Sequence, residues 1–429
     1  MGPPGGIDVS DAAIGGEESA PSPEAFAAAA TDWLSRRRPV AEAGSRGWGE
    51  GSDDVSVFHR LGFDEEQTLL AQAMAWQQEK CDAGYGAITW PREHGGAGLS
   101  RDHEAAFHRI EARYATPRSH ETFSVTVGLV APTIGLYGTE EQRARFLRRF
   151  LRADELCCQL FSEPGAGSDL AGLGTQAVRD GGEWIVNGQK VWSSGAQFSA
   201  WGELIARTDT SLPKHAGLTA FLVPLDAPGV EVRPIRQMSG GSSFNEVFLT
   251  DVRLPDSLRL GPVGDGWKVA LTTLGFERGG SGGGRTVGGS WEQLLALTRW
   301  LGCASDDLMS QELASVYVSQ RLRQLNGGRA AASIGAGQAP GPEGSVGKLA
   351  WVQGLTQIGE VAARGLGPRL TADTGEWGTF AWTNHVLGAP GYRIAGGSDE
   401  IQRNIIAERV LGLPGEPRAD RGPWRDIPR

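Results

Sequence analysis

Apolar residues recur at helical spacing through the first third of the chain, and the period predicts helices over 63–79, 101–114 and 139–151, separated by Gly/Pro clusters. Thr139 followed three residues later by Gln142 forms a capping box at the start of the last of these. After Cys158 the period falls to two. A hairpin is expected over 176–192, with Asp180-Gly181-Gly182 at one turn and Asn187-Gly188 at a second, type I′ turn. Further strands are predicted over 218–223, 230–235 and 245–252, each bounded by Gly, Pro or Asp. Helical periodicity returns at Gly266 and continues to Leu413. The pattern therefore predicts a multi-domain α+β protein: an N-terminal helix bundle (23–155), a small central β-barrel or sandwich domain (156–264) and a C-terminal helix bundle (265–414). Residues 1–22 read as a disordered tail and 415–429 as a charged, frayed one. Seven Gly within 279–289 predict a helix break, and the Ala/Gly/Pro stretch 327–344 a flexible surface loop.

Composition adds limits. With 429 residues and 40% hydrophobic content there is material for two or three cores. The net charge of −10 is spread along the chain, so neither nucleic acid nor an anionic membrane surface is favoured. No run approaches the ~20 apolar residues of a membrane span. The first residues lack the basic and apolar regions of a signal peptide, and the cytoplasm is the expected compartment. Cys81, Cys157, Cys158 and Cys303 show no metal-ligand spacing and suit a reducing compartment. The seven histidines, His94, His120, His215 and His385 among them, share no spacing either; no metal is expected and none of them is assigned to catalysis. Gly347-Lys348-Leu349 has a phosphate-loop flavour but lacks the first Gly and the Ser/Thr after Lys, and reads as a helix entrance.

Three runs could carry chemistry. Gln159-Leu160-Phe161-Ser162-Glu163-Pro164-Gly165-Ala166-Gly167-Ser168-Asp169 is a short strand breaking into a Gly-rich turn: either an ordinary surface turn, or a ligand cradle of backbone N–H groups with hydroxyls at Ser162 and Ser168. Its spacing is not the dinucleotide fingerprint. Trp192-Ser193-Ser194-Gly195 places an aromatic beside two hydroxyls; Trp192 is a core residue or a plate for a planar cofactor. Trp267, Ala270, Leu271 and Leu274 form a helical apolar stripe whose next step is Glu277. A carboxylate there is either a helix-end group paired with Arg or water, or a base whose affinity for protons desolvation raises.

These runs, in this order, resemble the acyl-CoA dehydrogenase family over about residues 63–414. The likeness is carried by Trp90-Pro91 with Gly95-Gly96, residues 158–169, Asn187-Gly188-Gln189-Lys190-Val191-Trp192, Phe244-Asn245-Glu246-Val247 and Gly397-Ser398-Asp399-Glu400-Ile401-Gln402-Arg403. The resemblance implies an FAD site. Gln159, Phe161, Ser162, Gly167 and Ser168 would lie along the flavin pyrimidine side and the substrate thioester, Trp192, Ser193 and Ser194 beside the ring, and Ser398, Asp399 and Glu400 at the C-terminal turn. Ser168, Arg278 and Gly397 would lie on the substrate side. The implied reaction is α,β-dehydrogenation of an acyl-CoA thioester to the trans-2-enoyl-CoA, a base taking the pro-R α-proton while flavin N5 accepts hydride from Cβ. In one branch of the family the base precedes the C-terminal Gly-Ser/Thr turn, where this chain has Gly396; the other position, a Glu-Arg pair on the first helix after the β domain, is Glu277-Arg278.

Two family motifs are not intact: the Arg-x-x-Phe-Gly that grips the flavin diphosphate of a neighbouring subunit, and a Gln-x-x-Gly-Gly-x-Gly-Tyr segment, of which a short Leu387-Gly388-Ala389-Pro390-Gly391-Tyr392 remains. The family then offers two assemblies, a homo-oligomer with rearranged contacts or an α2β2 complex with a complementary subunit. Electron-transfer flavoprotein is the expected acceptor. The alternatives are an acyl-CoA oxidase of the same fold, a non-catalytic subunit, and a relative oxidising nitroalkanes or hydroxylating nitrogen, to which Glu277 is ill suited.

Overall fold

Each change of period in the sequence becomes a change of architecture. The computed structural model describes residues 20–41, 55–279, 287–335, 341–372, 379–417 and 420–427, the side chains of 277–279, 334–335 and 379–381 excepted. Helix α1 (Pro23–Ser35) starts where the Ser22 hydroxyl accepts from Ala25 N at 3.2 Å. With α2 (Phe63–Asp82) and α3 (Arg101–Glu111) it closes a small core of Phe26, Leu34, Trp76 and Phe107. Helix α4 (Glu121–Val125) passes through a π turn, Thr126–Val130, into α5 (Ala131–Tyr137). The capping box forms at the start of α6 (Glu140–Leu151): Thr139 N donates to Gln142 Oε1 at 3.0 Å, and Gln142 N to Thr139 Oγ1 at 3.3 Å. The same Gln142 donates through Nε2 to the carbonyls of Ser257 (2.8 Å) and Arg259 (2.9 Å), which ties the helix to the β domain.

Strands β1 (Cys157–Leu160), β2 (Gln176–Asp180), β3 (Glu183–Lys190), β4 (Trp201–Arg207), β5 (Leu218–Pro224), β6 (Val230–Ile235), β7 (Phe244–Pro255) and β8 (Arg259–Leu260) form one mixed sheet ordered β6-β7-β3-β2-β4-β5-β8, with β1 parallel to β4. Strand β4 is buried along its whole length and so lacks the period of two by which half-buried strands are read. The Asn187-Gly188 turn does not form. Strand β3 runs straight through it, and the hairpin turn is at Gly181, φ 62°. Asn187 is instead clamped to the neighbouring strand: its Nδ2 donates to Asp251 Oδ1 (3.0 Å) and Asp251 N donates back to Asn187 Oδ1 (2.9 Å), across a bulge where Asp251 takes φ 50°. Gly188 is needed for a close approach, since a Cβ there would lie 2.3 Å from Thr175 Oγ1 and 2.8 Å from Thr175 Cα.

Beyond the sheet come α7 (Gly266–Gly279), α8 (Trp291–Trp300), α9 (Asp307–Gly335), α10 (Gly344–Leu366), α11 (Thr379–Tyr392) and α12 (Asp399–Ile405). The buried line of α7 is Val269, Ala270 and Thr273, whereas Leu271 is 43% exposed, so the expected stripe is corrected at that position. Leu294, Leu297, Val316, Ile358 and Trp382 make the core of the C-terminal bundle. Helix α9 continues through 327–335, where a loop is expected, because Ala330, Ala331 and Ala332 carry it past Gly327-Gly328. The first 19 residues, the glycine run at 280–286 and residues 336–340 lie outside the described residues. The expected fraying of 415–429 is overturned at Trp424, which is buried; its indole donates to Gly172 O (3.2 Å) and the Arg207 guanidinium covers its ring at 4.4 Å. Among the described residues no helix is long and apolar enough to cross a membrane.

A methyl group at position 188 would meet Thr175 Oγ1, Cβ and Cα at 2.3, 2.7 and 2.8 Å, and a new Thr175 rotamer would clear the first of these but not Cα. Gly188→Ala is therefore expected to lower unfolding free energy by about 1–3 kcal/mol, measured by denaturant titration of variant and parent.

Candidate active site

Two of the sequence runs, thirty residues apart, meet through Lys190. The side chain is wholly buried, and its ammonium donates to Phe161 O (3.0 Å), Ile205 O (2.9 Å) and Glu163 Oε1 (2.8 Å). Burial pushes Lys190 down to about 8, against the pull of the Glu163 carboxylate. Glu163 in turn accepts from Gly174 N (2.6 Å) and Thr175 N (2.8 Å). Val191 N donates to Ser162 O at 2.9 Å. The turn after β1 and the turn after β3 therefore emerge side by side. Glu163 and Ala166 exchange backbone hydrogen bonds of 3.1 and 3.0 Å that close the first turn. Its tip is open: Gly167 and Ser168 are exposed, and a Cβ on Gly167 would meet nothing within 4 Å. Ser162 is half-buried and Phe161 buried.

Trp192 holds φ 62°, a left-handed backbone that a bulky residue adopts at a cost of roughly 1–2 kcal/mol. Its ring is nevertheless 59% exposed. It meets Phe244 edge-on (6.0 Å), Phe244 meets Phe58 (5.3 Å), and Phe58 stacks on Tyr392 (5.4 Å), an aromatic run from the β domain to α11. Ser193 and Asn245 exchange backbone bonds (3.1 and 3.2 Å), and the Asn245 amide donates to Ser193 O (3.0 Å). What remains unmatched is informative: Ser193 Oγ, Asn245 Oδ1 and Gln159 Nε2 are buried with no partner. Ser194 is half-buried beside them. An exposed aromatic plate with unmatched polar atoms on the adjoining Ser193 and Asn245 suits a planar, heteroatom-edged cofactor.

A second polar centre, which sequence spacing gave no sign of, braces this turn. His120 Nε2 and His59 Nε2 both reach Glu66 Oε1, at 2.8 and 3.0 Å, and Gln197 Nε2 donates to Glu66 Oε2 at 3.3 Å. Burial pushes the Glu66 carboxyl up, but hydrogen bonds and charge from His120 and His59 outweigh it and hold it down to about 2. The three side chains could converge on a metal ion. Against that, His120 Nδ1 accepts from Thr122 N (3.3 Å), which leaves the proton on Nε2, facing Glu66 as a donor. Gly195, φ 63°, lies against the same centre; a Cβ there would fall 2.0 Å from Thr122 Cγ2.

At the C-terminal turn Ser398 caps α12, its hydroxyl accepting from Ile401 N (3.3 Å), and Glu400 is exposed. Asp399 turns inward to Arg393 Nε (3.0 Å), and Lys348 donates to Gly397 O (2.8 Å). Glu277 and Arg278 fall in the last turn of α7, with side chains outside the described residues. The structure thus gathers 159–168 and 192–194 directly and brings the α11 end toward them through Tyr392.

A helical frame on either side of a sheet, with an aromatic plate and unmatched hydrogen-bonding atoms at the sheet's turns, is the build of a cofactor-binding enzyme. Family models match in three consecutive pieces: acyl-CoA dehydrogenase N-terminal domain over 62–154, middle domain over 158–252 and C-terminal domain over 264–411. Acyl-CoA dehydrogenase IpdE1 of Mycobacterium tuberculosis is 43% identical over 359 residues, covering 83% of this chain and 91% of that protein. Among solved structures, the Tcur3481-Tcur3483 steroid ACAD matches with TM-score 0.71 and 26% identity over 94% of this chain and 100% of that one. The ChsE4-ChsE5 complex from Mycobacterium tuberculosis matches with TM-score 0.67 and 25% identity over 93% and 99%. The chain belongs to the acyl-CoA dehydrogenase family. It is an oxidoreductase of acyl-CoA thioesters, and its cofactor is FAD, which the polar and aromatic groups around Trp192 fit.

Glu66→Gln keeps the shape but removes the charge that both histidines meet. The variant is expected to lose about 1–3 kcal/mol of stability near neutral pH. Because the carboxyl is held low in the fold, its contribution is complete above the ordinary carboxylate range and fades as pH falls toward about 2. Unfolding curves of parent and variant should therefore converge as the pH is lowered.

Proposed function

We propose that this chain removes two hydrogens across Cα–Cβ of an acyl-CoA thioester, with Glu277 as the base and the trans-2-enoyl-CoA as product. The observation that carries the reading is the buried line of α7. Ala270 and Thr273 are wholly buried, and Glu277 follows them by seven and four residues, continuing that line by one turn. Desolvation makes a carboxylate a stronger base near neutral pH, which is what this role asks of Glu277. The alternative position for a base, Gly396, has no side chain to offer.

Bound FAD supplies the acceptor for the hydride that leaves Cβ. The chain's own groups do the remainder. Ser162, Gly167 and Ser168 offer hydroxyl and N–H donors to the thioester and the pyrimidine edge, with Gln159 and Phe161 behind them. Trp192 covers the ring with Ser193 and Ser194 at its margin. Ser398 and Glu400 contribute from the C-terminal turn, which Asp399 holds through Arg393; Arg278 and Gly397 lie on the substrate side. Electron-transfer flavoprotein is the proposed acceptor of the electrons. A bulky acyl group is supported by the likeness to a steroid ACAD. A heteromeric assembly is supported by the missing Arg-x-x-Phe-Gly motif and by the two-chain names of that protein and of the ChsE4-ChsE5 complex.

Anaerobic addition of saturated acyl-CoA thioesters to the FAD-loaded protein is expected to bleach the flavin absorption band. Glu277→Gln should retain the flavin and lose about 10²–10⁴-fold in kcat; near-parental turnover with FAD in place would remove Glu277 from the role of base. If a second subunit completes the site, the chain purified alone will be colourless and its co-expressed complex yellow.

A further inference from the structure

The segment 420–427 returns from beyond α12 to the β domain, and its contacts there converge on one feature. Its backbone runs along the connection between β4 and β5: Trp424 N donates to Leu212 O (2.9 Å), Arg425 N donates to Thr210 O (3.1 Å), and Pro423 bridges Pro213. Its side chains reach past that connection to residues 169–173, the far limb of the Gly-rich turn that bears Ser162 and Ser168. The Trp424 indole donates to Gly172 O at 3.2 Å. Lys214 Nζ joins Asp420 Oδ2 (2.5 Å) of the segment to Asp169 Oδ1 (2.6 Å) of the turn.

Arg207 completes the arrangement. Its guanidinium donates to Ala171 O (2.6 Å), Leu173 O (3.1 Å) and Lys214 O (3.2 Å), and the Trp424 ring lies over it at 4.4 Å. A buried cation is stable only where carbonyls replace its hydration and solvent is kept away. Trp424, itself buried, is the cover of the charge that holds two carbonyls of the turn.

The turn is therefore fastened at both limbs. Lys190, Glu163 and Val191 secure the near one, and Arg207, Lys214 and Trp424 the far one. Between them, a Cβ on Gly165 or Gly167 would meet nothing within 4 Å, so packing does not fix the tip and the limbs decide where Ser168 lies. Asp169 follows Ser168 directly, but its side chain is 60% exposed, and an exposed ion pair is a weak anchor by itself. The buried contacts of Trp424 and Arg207 are the firmer part of the far fastening. A misplacement of about 1 Å at a group that meets substrate can cost on the order of a hundredfold in rate, so this fastening bears on function.

We propose that 420–427 is a strap that sets the position of the Ser162–Ser168 turn for cofactor and thioester. Trp424 is its positioning residue, acting through Gly172 and Arg207, and Asp420 with Lys214 is the second fastening. The proposal deepens the dehydrogenase reading above and rests on its assignment of Ser162, Gly167 and Ser168 to the flavin and the thioester.

The test compares the parent, Trp424→Ala, Trp424→Phe and a chain lacking 420–429, each with FAD and with the partner subunit where assembly requires one. Amide hydrogen exchange is expected to quicken about tenfold or more over 163–173 in Trp424→Ala and in the shortened chain, while β3 and β7 exchange at the parent's rate. Calorimetric titration should give an FAD Kd about tenfold higher; at saturating FAD, bleaching by octanoyl-CoA should give a similarly raised KM, with kcat within about threefold of the parent. Trp424→Phe keeps a ring over Arg207 and loses only the N–H to Gly172, so changes of about threefold are expected. Should Trp424→Ala and the shortened chain both fail to fold, Trp424→Phe decides: changes of that size support the strap, and parental values overturn it. Exchange over 163–173 within about twofold of the parent, a rise spread evenly over the whole chain, or an unchanged FAD Kd and KM also overturns it. If no thioester bleaches the parent's flavin, the dehydrogenase reading falls, and exchange with the FAD Kd decides the strap by the same criteria.

Discussion

Lys190 has no access to water, and an ammonium taken out of water is stable only where carbonyl and carboxylate oxygens replace the hydration it lost. Phe161 O, Ile205 O and Glu163 do so here, from the end of β1, from β4 and from the first turn. Meeting that demand fixes how the ends of three strands approach one another. The open tip at Gly167 and the exposed ring of Trp192 are then neighbours by construction, and removing the ammonium would unfasten both. A buried ion pair of this kind adds little net stability over an apolar replacement, but it specifies one arrangement.

Around that anchor several buried polar atoms are left without a partner, Thr175 Oγ1 among them. Ser193 Oγ, Asn245 Oδ1, Gln159 Nε2 and Glu203 Oε2 sit on segments that the Lys190 anchor and the β1–β4 pairing place together. The N-terminal helices share in the construction: Glu66 of α2 gathers His59, His120 and Gln197 behind the Trp192 turn, and Thr126 Oγ1 holds both the N–H (2.9 Å) and the carbonyl (3.1 Å) of Cys157 at the start of β1. Phe58 links the same turn to Tyr392 of α11. The site therefore needs all three parts of the chain, although its chemistry-bearing turns belong to the sheet.

Local signals were legible where one element suffices to read them. The capping box at Thr139, the hairpin glycine at 181 and the strands at 218–224 and 230–235 follow from neighbours in sequence. Asn187-Gly188 misled because its usual turn competes with a clamp to Asp251, sixty-four residues on, that no local pattern contains. Strand β4 was silent because full burial erases alternation. The terminal segment looked frayed because its partners, Gly172 and Arg207, are remote in sequence. In the site, the runs at 159–168 and 192–194 were visible as composition, whereas His59, Glu66 and Gln197 stand singly in unrelated segments.

By itself the sequence determined the succession of helical, sheet and helical parts, the two turns that bear hydroxyls and glycines, and the placing of Glu277 at the end of a half-apolar helix. These depend on periodicity and turn chemistry, which act over a few residues. Only the tertiary structure decided which polar atoms are matched and which are left for a ligand, because matching requires donors and acceptors from distant segments to arrive at hydrogen-bond distance. Glu203 is the clearest case: in the sequence it is one acidic residue in a strand, and in the fold burial pushes its carboxyl up to about 8, with Thr273 bonded to one oxygen and the other without a partner.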